Sequence, residues 1–317
     1  MVEDMLAEAG IPRDQVTSVT PLSGGTFNDV FRVTLADGRR LILKVQPSPD
    51  FPLLAYEQGI MRTEALFYRL AGQRRPVPAV VHAGFGRPGG ARDFLLMTEI
   101  PGQPWPAVAD QISSNDRRRL RGDLGRIVAG LQSMTGTQFG YPAQPLAGSW
   151  REAFGGMLDA ILTEADRYEV ALPLPTEVIR RRAAGHESAL DEVTTPVLVH
   201  FDLHDGNILV DAGDTAQITG IIDAERAFWG DPLADFVCLA LLDDIHRDEE
   251  FLAAYREAGG PVTLDGTSPV RLSLYRSYMY LIFLVEAGIR QYPASTYEYL
   301  SRRVTPALAF ELDLIAT

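Results

Sequence analysis

The densest concentration of reactive side chains is the run His200-Phe201-Asp202-Leu203-His204-Asp205-Gly206-Asn207, set between the apolar stretches Val197-Leu198-Val199 and Ile208-Leu209-Val210. Polar groups this crowded do not settle among core strands without ligands or hydrogen-bond partners. Asp223 follows sixteen residues after Asn207, at the end of the apolar run Gly220-Ile221-Ile222. An aspartate, an asparagine five residues on and a second aspartate beyond a hairpin form an oxygen-donor set suited to Mg2+. In that reading Asn207 and Asp223 are metal ligands and Asp202 accepts a hydroxyl proton. A satisfied structural network is the plainer alternative. A metallohydrolase is another, since His200, Asp202 and His204 alternate and in an extended segment could face one metal. The remaining histidines, His82, His186 and His246, show no ligand spacing.

A second signal is compositional. Of 29 Lys+Arg, 28 are arginine, and the single lysine is Lys44; asparagine is nearly as scarce, at Asn28, Asn115 and Asn207. An arginine-rich chain that keeps one lysine does so by chance or because that site needs a compact ammonium and not a planar guanidinium. Lys44 lies in Leu41-Ile42-Leu43-Lys44-Val45, where strand alternation puts Ile42 and Lys44 on one face. A charge there is costly unless paired, so it calls for a carboxylate and an anionic ligand. Glu57 and Glu64, seven apart on the next helical stretch, share a face. Glu64 is preferred, because Leu66, Phe67 and Leu70 pack around it, and Glu57 is the second choice. Upstream, Gly24 and Gly25 separate two strand candidates, where bare backbone can fold over phosphates; an ordinary hairpin turn explains them equally well. The G-x-G-x-x-G match at Gly84, Gly86 and Gly89 runs into a strand and not a helix, so it reads as a turn and not a dinucleotide site.

The elements that must position these groups fall in two parts. Residues 17–22, 27–35 and 40–46 read as strands, with Ala36-Asp37-Gly38 a hairpin signal. A helix over 53–71 and strands within 77–85 and 91–100 follow, and Pro101-Gly102-Gln103-Pro104 breaks the chain. Beyond it the pattern turns helical. Leu120, Leu124, Ile127, Val128 and Leu131 form one stripe, and Phe154, Met157, Leu158, Ile161, Leu162 and Ala165 another. Residues 196–203, 207–211 and 217–223 read as short strands, with helices at 232–243, 247–258, 271–290 and 295–312. With 317 residues, 46% hydrophobic, the chain can build real cores, which excludes disordered, collagen-like and disulfide-stapled classes; Cys238 stands alone. A net charge of −13 argues against nucleic acid and anionic membrane as partners and suits a cationic small substrate. No run reaches the ~18 apolar residues of a membrane span, and the acidic start MVEDMLAEAGIPRDQ lacks an apolar core, so a cytoplasmic protein is expected.

Together, the glycine loop with Asn28, Lys44 on the third strand, Glu64, the H-x-D-x-x-x-x-N run at His200, Asp202 and Asn207, then Asp223, and G-D-P-x-x-D from Gly230 to Asp235 resemble the aminoglycoside phosphotransferase and choline kinase family. That family is the small-molecule branch of the protein-kinase-like fold, and the resemblance spans about residues 20 to 310. It implies a bilobal α+β fold, with an antiparallel N-lobe sheet and one helix in residues 1–100 and a larger, mainly helical C-lobe in 101–317. It implies ATP or GTP and Mg2+ as cofactors. Lys44 would meet the α- and β-phosphates, Glu64 would hold Lys44, Asp202 in the His200 loop would be the base, and Asn207 with Asp223 would bind Mg2+. Gly24, Gly25 and Asn28 would lie over the phosphates. The nucleotide base would lie among Leu22, Ile42, Met97, Leu209 and Ile222, its edge on the backbone of Glu99 and Ile100. Two departures stand out. Ala224-Glu225 stands where protein kinases have Phe-Gly, and the helix carrying Gly230-Asp231-Pro232 begins within about ten residues, which leaves no room for an activation segment and disfavours a protein substrate. Phe201 stands where the family often has glycine. The acceptor, a small-molecule hydroxyl, would meet the 150–166 helix, Asp205, Glu225, Tyr278 and Glu286. Acids there favour an aminoglycoside or other basic antibiotic. A metabolic kinase for an amino alcohol, amino acid or sugar fits the same motifs, and a non-catalytic nucleotide-binding regulator is a third reading. A monomer or homodimer is expected.

Overall fold

The computed structural model describes residues 1–22, 27–72, 76–86, 92–290 and 292–316. A short amino-terminal helix, α1 (Val2–Glu8), leads into three antiparallel strands, β1 (Val16–Pro21), β2 (Asp29–Leu35) and β3 (Arg40–Val45). The β2–β3 turn is closed by Gly38 at φ +86° and by the Asp37 carboxylate, which accepts the Arg39 amide at 3.0 Å. The helix expected from residue 53 begins later. Ala55–Glu57 is a 3-10 turn, and α2 (Ile60–Ala71) starts after Gly59, whose φ of +75° is the left-handed kink that glycine tolerates. Strands β4 (Val80–Gly84) and β5 (Phe94–Thr98) complete a sheet of order β1-β2-β3-β5-β4. Alternation along β3 sends Leu41, Leu43 and Val45 into a core with Met5 and Leu6 of α1, and leaves Ile42 and Lys44 on the opposite face.

Next come β6 (Gln103–Pro104), α3 (Trp105–Val108), α4 (Ser114–Leu131), α5 (Trp150–Arg167), α6 (Thr176–Ala184) and β7 (Val197–Val199). Ser149 caps α5, its hydroxyl accepting the Glu152 amide at 3.2 Å. The hairpin β8 (Ile208–Asp211) and β9 (Gln217–Ile221) pairs with β6, whereas β10 (Phe228–Gly230) pairs with β7. Helices α7 (Asp235–Leu239), α8 (Glu249–Glu257), α9 (Ser268–Ile289), α10 (Ala294–Tyr299) and α11 (Thr305–Leu314) follow, the last two joined by a π-helical turn over Leu300–Val304. Among the described residues no helix is long and apolar enough to cross a membrane. Sequence patterning did not resolve α1, α6 or β10, which are short and carry weak periodicity.

Two compact units result, and neither is continuous in sequence. The first comprises residues 1–51, 59–116 and 205–225, the second 52–58, 117–204 and 226–317. This differs from a division at residue 100. The β8–β9 hairpin belongs to the first unit because β6 pairs with it, Gln103 opposite Val210, and because the Ile221 amide donates to the Pro76 carbonyl at 2.8 Å. Residues 52–58 belong to the second, where Gln144 donates to the Ala55 carbonyl at 2.8 Å. The second unit's core is aromatic. Trp150, Phe154, Phe228 and Tyr275 pack with ring centroids 5.1 to 6.0 Å apart.

Candidate active site

In the first unit everything converges on Lys44. Its side chain is only 10% exposed, and its ammonium lies 2.8 and 3.0 Å from the two Glu64 oxygens, 2.5 Å from Asp223 Oδ1 and 3.7 Å from Glu225 Oε2. Glu64, on α2, is fully buried and is the helix partner of Lys44; the runner-up Glu57 lies in the second unit, where it pairs with Arg290. Burial pulls the lysine down, but Asp223, Glu64 and Glu225 outweigh it and hold its pKa well above the ordinary lysine value. Burial pushes Glu64 up although Lys44 opposes it. With two ammonium contacts and the Tyr68 hydroxyl donating at 2.8 Å, we take the Lys44–Glu64 pair as ionised.

The β8–β9 hairpin explains how residues sixteen apart come together. Asn207 precedes β8, Asp223 follows β9 by two residues, and the Ile222 amide closes the hairpin's open end on the Asn207 carbonyl at 3.0 Å. Asp223 takes φ +65°, a strained value for a non-glycine residue, and its amide donates to the Tyr68 hydroxyl at 2.8 Å. Tyr68 thus ties Asp223 to Glu64. Asn28 donates to Glu225 at 2.9 Å, and its Oδ1 is buried with no hydrogen-bond partner among the described residues. Glu64, Asp223 and Glu225 each offer a carboxylate oxygen within 4.8 Å of the others. An all-oxygen donor set of this kind fits a hard dication such as Mg2+, which would compete with the Lys44 ammonium for the same oxygens.

In the second unit the His200–His204 segment is held from beneath by Asp235. One Asp235 oxygen accepts the amides of His200 at 2.9 Å and Phe201 at 3.0 Å, and the other accepts Gln132 Nε2 at 2.9 Å. Burial pushes the Asp235 carboxyl up to about 6, against the pull of these donors. Phe201 adopts φ +56°, the left-handed region in which the family's glycine is at ease. The phenylalanine is kept there by its packing. Its ring centroid lies 4.9 Å from that of Phe228 and 5.7 Å from that of Tyr278, and its carbonyl accepts the Cys238 thiol at 3.2 Å. This backbone turn breaks the alternation that a shared metal on His200, Asp202 and His204 needs. The His200 ring nitrogen accepts the Asp202 amide at 3.3 Å instead. The Asp202 carboxylate lies 3.5 Å from Arg226, which also bonds Glu286 at 2.7 Å.

Of the residues read as lining a nucleotide base, Ile42 and Met97 face each other across β3 and β5, and Leu209 pairs with Gly220 across β8 and β9. Leu22 donates its amide to the Val30 carbonyl at 2.8 Å, ending the sheet. The Glu99 amide donates to the Arg40 carbonyl at 3.1 Å, while its carboxylate is held by Arg32 and Arg40. Ile100 packs over Gly220. Gly24 and Gly25 lie outside the described residues. The four residues read for the acceptor are dispersed in role. Asp205 is exposed at the start of a 3-10 turn, and Glu225 joins the Lys44 cluster. Tyr278 is buried with its hydroxyl 3.0 Å from that of Tyr141, and Glu286 is buried among Tyr56, Arg226 and Arg290. Sequence reading missed Tyr68, Arg226 and the clamping role of Asp235. Tyr68 was reachable, because it follows Glu64 by one helical turn.

The profile of the phosphotransferase enzyme family, APH, matches residues 18–272, and the chain belongs to this family. No curated protein matches it in sequence. Solved structures superpose along nearly its whole length. One is a candidate fructosamine-3-kinase from Thermobifida fusca YX-ER1, 22% identical, TM-score 0.68, covering 97% of this chain and 98% of that one. A thermostable mutant of aminoglycoside phosphotransferase APH(4)-Ia, in a ternary complex with AMP-PNP and hygromycin B, is 18% identical, TM-score 0.63, covering 99% and 97%. Macrolide 2'-phosphotransferase MphH from Brachybacterium faecium is 18% identical, TM-score 0.59, covering 96% and 98%. These likenesses establish the α+β protein-kinase-like fold.

Proposed function

We propose that this protein is a cytoplasmic kinase that transfers the γ-phosphoryl group of ATP or GTP to a hydroxyl of a small molecule. The observation that carries this reading is the sole lysine, held almost buried among three carboxylates and with no apolar role to play. Such a charge is poised for phosphate oxygens. Family membership and neighbours solved with AMP-PNP support the nucleotide.

In the proposed reaction Lys44, oriented by Glu64, neutralises charge on the α- and β-phosphates, and Ile42, Met97, Leu209, Ile222 and Leu22 enclose the base. The carbonyl of Glu99 and the backbone of Ile100 meet its edge. Asn207 and Asp223, with Glu225 beside them, would hold Mg2+, which supplies charge neutralisation of the phosphates when bound. Asp202 orients the acceptor. The bond from the γ-phosphorus to its bridging oxygen breaks, a bond to the acceptor oxygen forms, the acceptor proton passes to Asp202, and nucleoside diphosphate leaves. Most of the rate gain comes from position and electrostatics. Asp202→Ala should lower nucleotide-dependent phosphorylation by about 10²–10⁴-fold, while equilibrium nucleotide binding stays near the wild-type value. Parallel loss of both would reject Asp202 as base.

The acceptor we favour is cationic, consistent with a net charge of −13, and an aminoglycoside or other basic antibiotic fits. A metabolic acceptor is the second reading, favoured by the 0.68 TM-score to the candidate fructosamine-3-kinase. Nucleotide consumption with Mg2+ across aminoglycosides, peptide antibiotics, choline, homoserine and sugars separates them, and firm binding without turnover on any acceptor would favour a regulator.

A further inference from the structure

The second unit contains a cavity of about 370 Å3 bounded by α5, residues 139–147, the 3-10 turn at 55–57 and α9. Three features of it are unexplained by folding alone. Gly156 faces it from the middle of α5, where a Cβ would meet nothing within 4 Å; alanine is the better helix former and would fit, so packing does not require glycine there. Glu164, two turns further along the same helix face, also lines it. Its side chain is 12% exposed, and among the described residues its Oε2 is buried with no hydrogen-bond partner, with only the 66% exposed Arg167 in a long ion pair to that oxygen at 3.7 Å. A buried carboxylate oxygen without a donor is costly. Opposite stands a fixed polar wall. Tyr56 and Tyr141 rings lie 6.1 Å apart, the Tyr141 and Tyr278 hydroxyls are 3.0 Å apart, and Gln144 bonds the Ala55 carbonyl.

The wall also connects with the proposed base. Tyr56 donates to Glu286, Glu286 pairs with Arg226 at 2.7 Å, and Arg226 reaches Asp202 at 3.5 Å. Tyr278 stacks on Phe201, the neighbour of Asp202 in the chain. The second lining acid, Glu152, is exposed and lies twelve residues from Glu164, about 18 Å along the helix, so one small ammonium cannot engage both. Between them the helix offers Gly156, Ala160 and the apolar Met157 and Ile161.

We infer that this cavity receives the amine-bearing part of the phosphate acceptor: a single ammonium seated on Glu164, carried by an apolar or aromatic body that occupies the space beside Gly156. This rests on the kinase reading for its link to Asp202, and it narrows the cationic acceptor proposed above from aminoglycosides and other basic antibiotics to a monocationic, amphiphilic amine.

Binding is measured without nucleotide on the full chain, with tyramine as the probe and 4-ethylphenol as its neutral analogue, by calorimetry at low-millimolar concentration. Tyramine should bind at least tenfold more tightly than 4-ethylphenol. Glu164→Gln should remove that preference and leave 4-ethylphenol unchanged. Gly156→Leu should abolish both while the melting temperature is held or raised. Absence of saturable tyramine binding, or tyramine binding unaltered in Gly156→Leu or Glu164→Gln, overturns the inference. Turnover separates it from the kinase reading. An acceptor whose phosphorylation needs Asp202 but whose KM ignores Glu164→Gln and Gly156→Leu overturns the cavity assignment alone. Tyramine binding as expected, with no nucleotide consumed on any acceptor of the full panel, sugars included, supports the cavity and rejects the kinase.

Discussion

At the scale of single residues, the lysine that composition isolates is the one the first unit surrounds with carboxylates. Its ammonium sits at 2.5 to 3.0 Å from two different acids, a geometry set by a point charge. A guanidinium is larger and planar and cannot occupy the same point. Lys44→Arg should therefore lower nucleotide-dependent activity at least a hundredfold while the protein remains folded by circular dichroism; near-normal activity would refute the argument. Asp235 yields a prediction in pH. Its folded pKa of about 6 lies above the ordinary aspartate value of about 3.8, so the folded state binds the proton first, and its contribution to stability is full below about 3.8 and lost as pH rises through 6. That contribution amounts to about 2 kcal/mol between pH 7 and pH 4.5. Denaturant titration of wild type and Asp235→Asn should show wild type gaining by that amount on acidification, and a flat or opposite trend would place the carboxyl in the ordinary range. These residues were legible unequally. Lys44, Asp202, Asn207 and Asp223 announce themselves as polar groups in apolar runs. Tyr68 shows in sequence only its nearby partner Glu64, four residues before it, and not its contact with Asp223 155 residues away; Arg226 does not announce itself, because Asp202 and Glu286 lie 24 and 60 residues away.

Among the elements, strands with strict alternation and turn residues at their ends were readable, and β1 to β5 appear in the expected order. The start of α2 was misplaced because Pro52 and Gly59 override the apolar pattern of 53–59, and β10 was missed because three residues are too few to show a period. Glycines within helices separate local preference from packing. Gly125 in α4 lies against the backbone of α8, where a Cβ would come 2.5 Å from the Phe251 carbonyl and 3.0 Å from the Tyr255 amide. Gly155 in α5 meets nothing within 4 Å. Gly125→Ala should therefore force α4 from α8 and destabilise by about 1–3 kcal/mol, as overpacking does. Gly155→Ala should stabilise by up to about 1 kcal/mol through helix propensity. Urea unfolding of the two variants should move in opposite directions. A common sign would mean that propensity or packing alone governs both sites.

For the whole molecule, the discontinuity of the two units has a consequence that a boundary at residue 100 would not have. The first unit is complete only with residues 205–225. Those residues supply β8 and β9, which extend the pairing begun by β6, and Gly220 makes room for Ile100. They also bring Asp223, one of the two carboxylate partners of Lys44 within hydrogen-bond reach. A fragment of residues 1–116 would expose the apolar faces of Ile100 and α3 and leave β6 unpaired. It would also keep an almost buried lysine with Glu64 alone of its three carboxylate neighbours, which is costly in a small unit with little stability to spare. We expect that fragment to show no cooperative thermal transition and rapid amide exchange throughout β3 and β5. Joining residues 205–225 to it through a flexible glycine-serine linker should restore both cooperativity and protection, because the missing pairing is then intramolecular. A sharp transition in the 1–116 fragment alone would mean that the five-stranded sheet and its two helices are self-sufficient, and that the hairpin is held by the unit without supporting it.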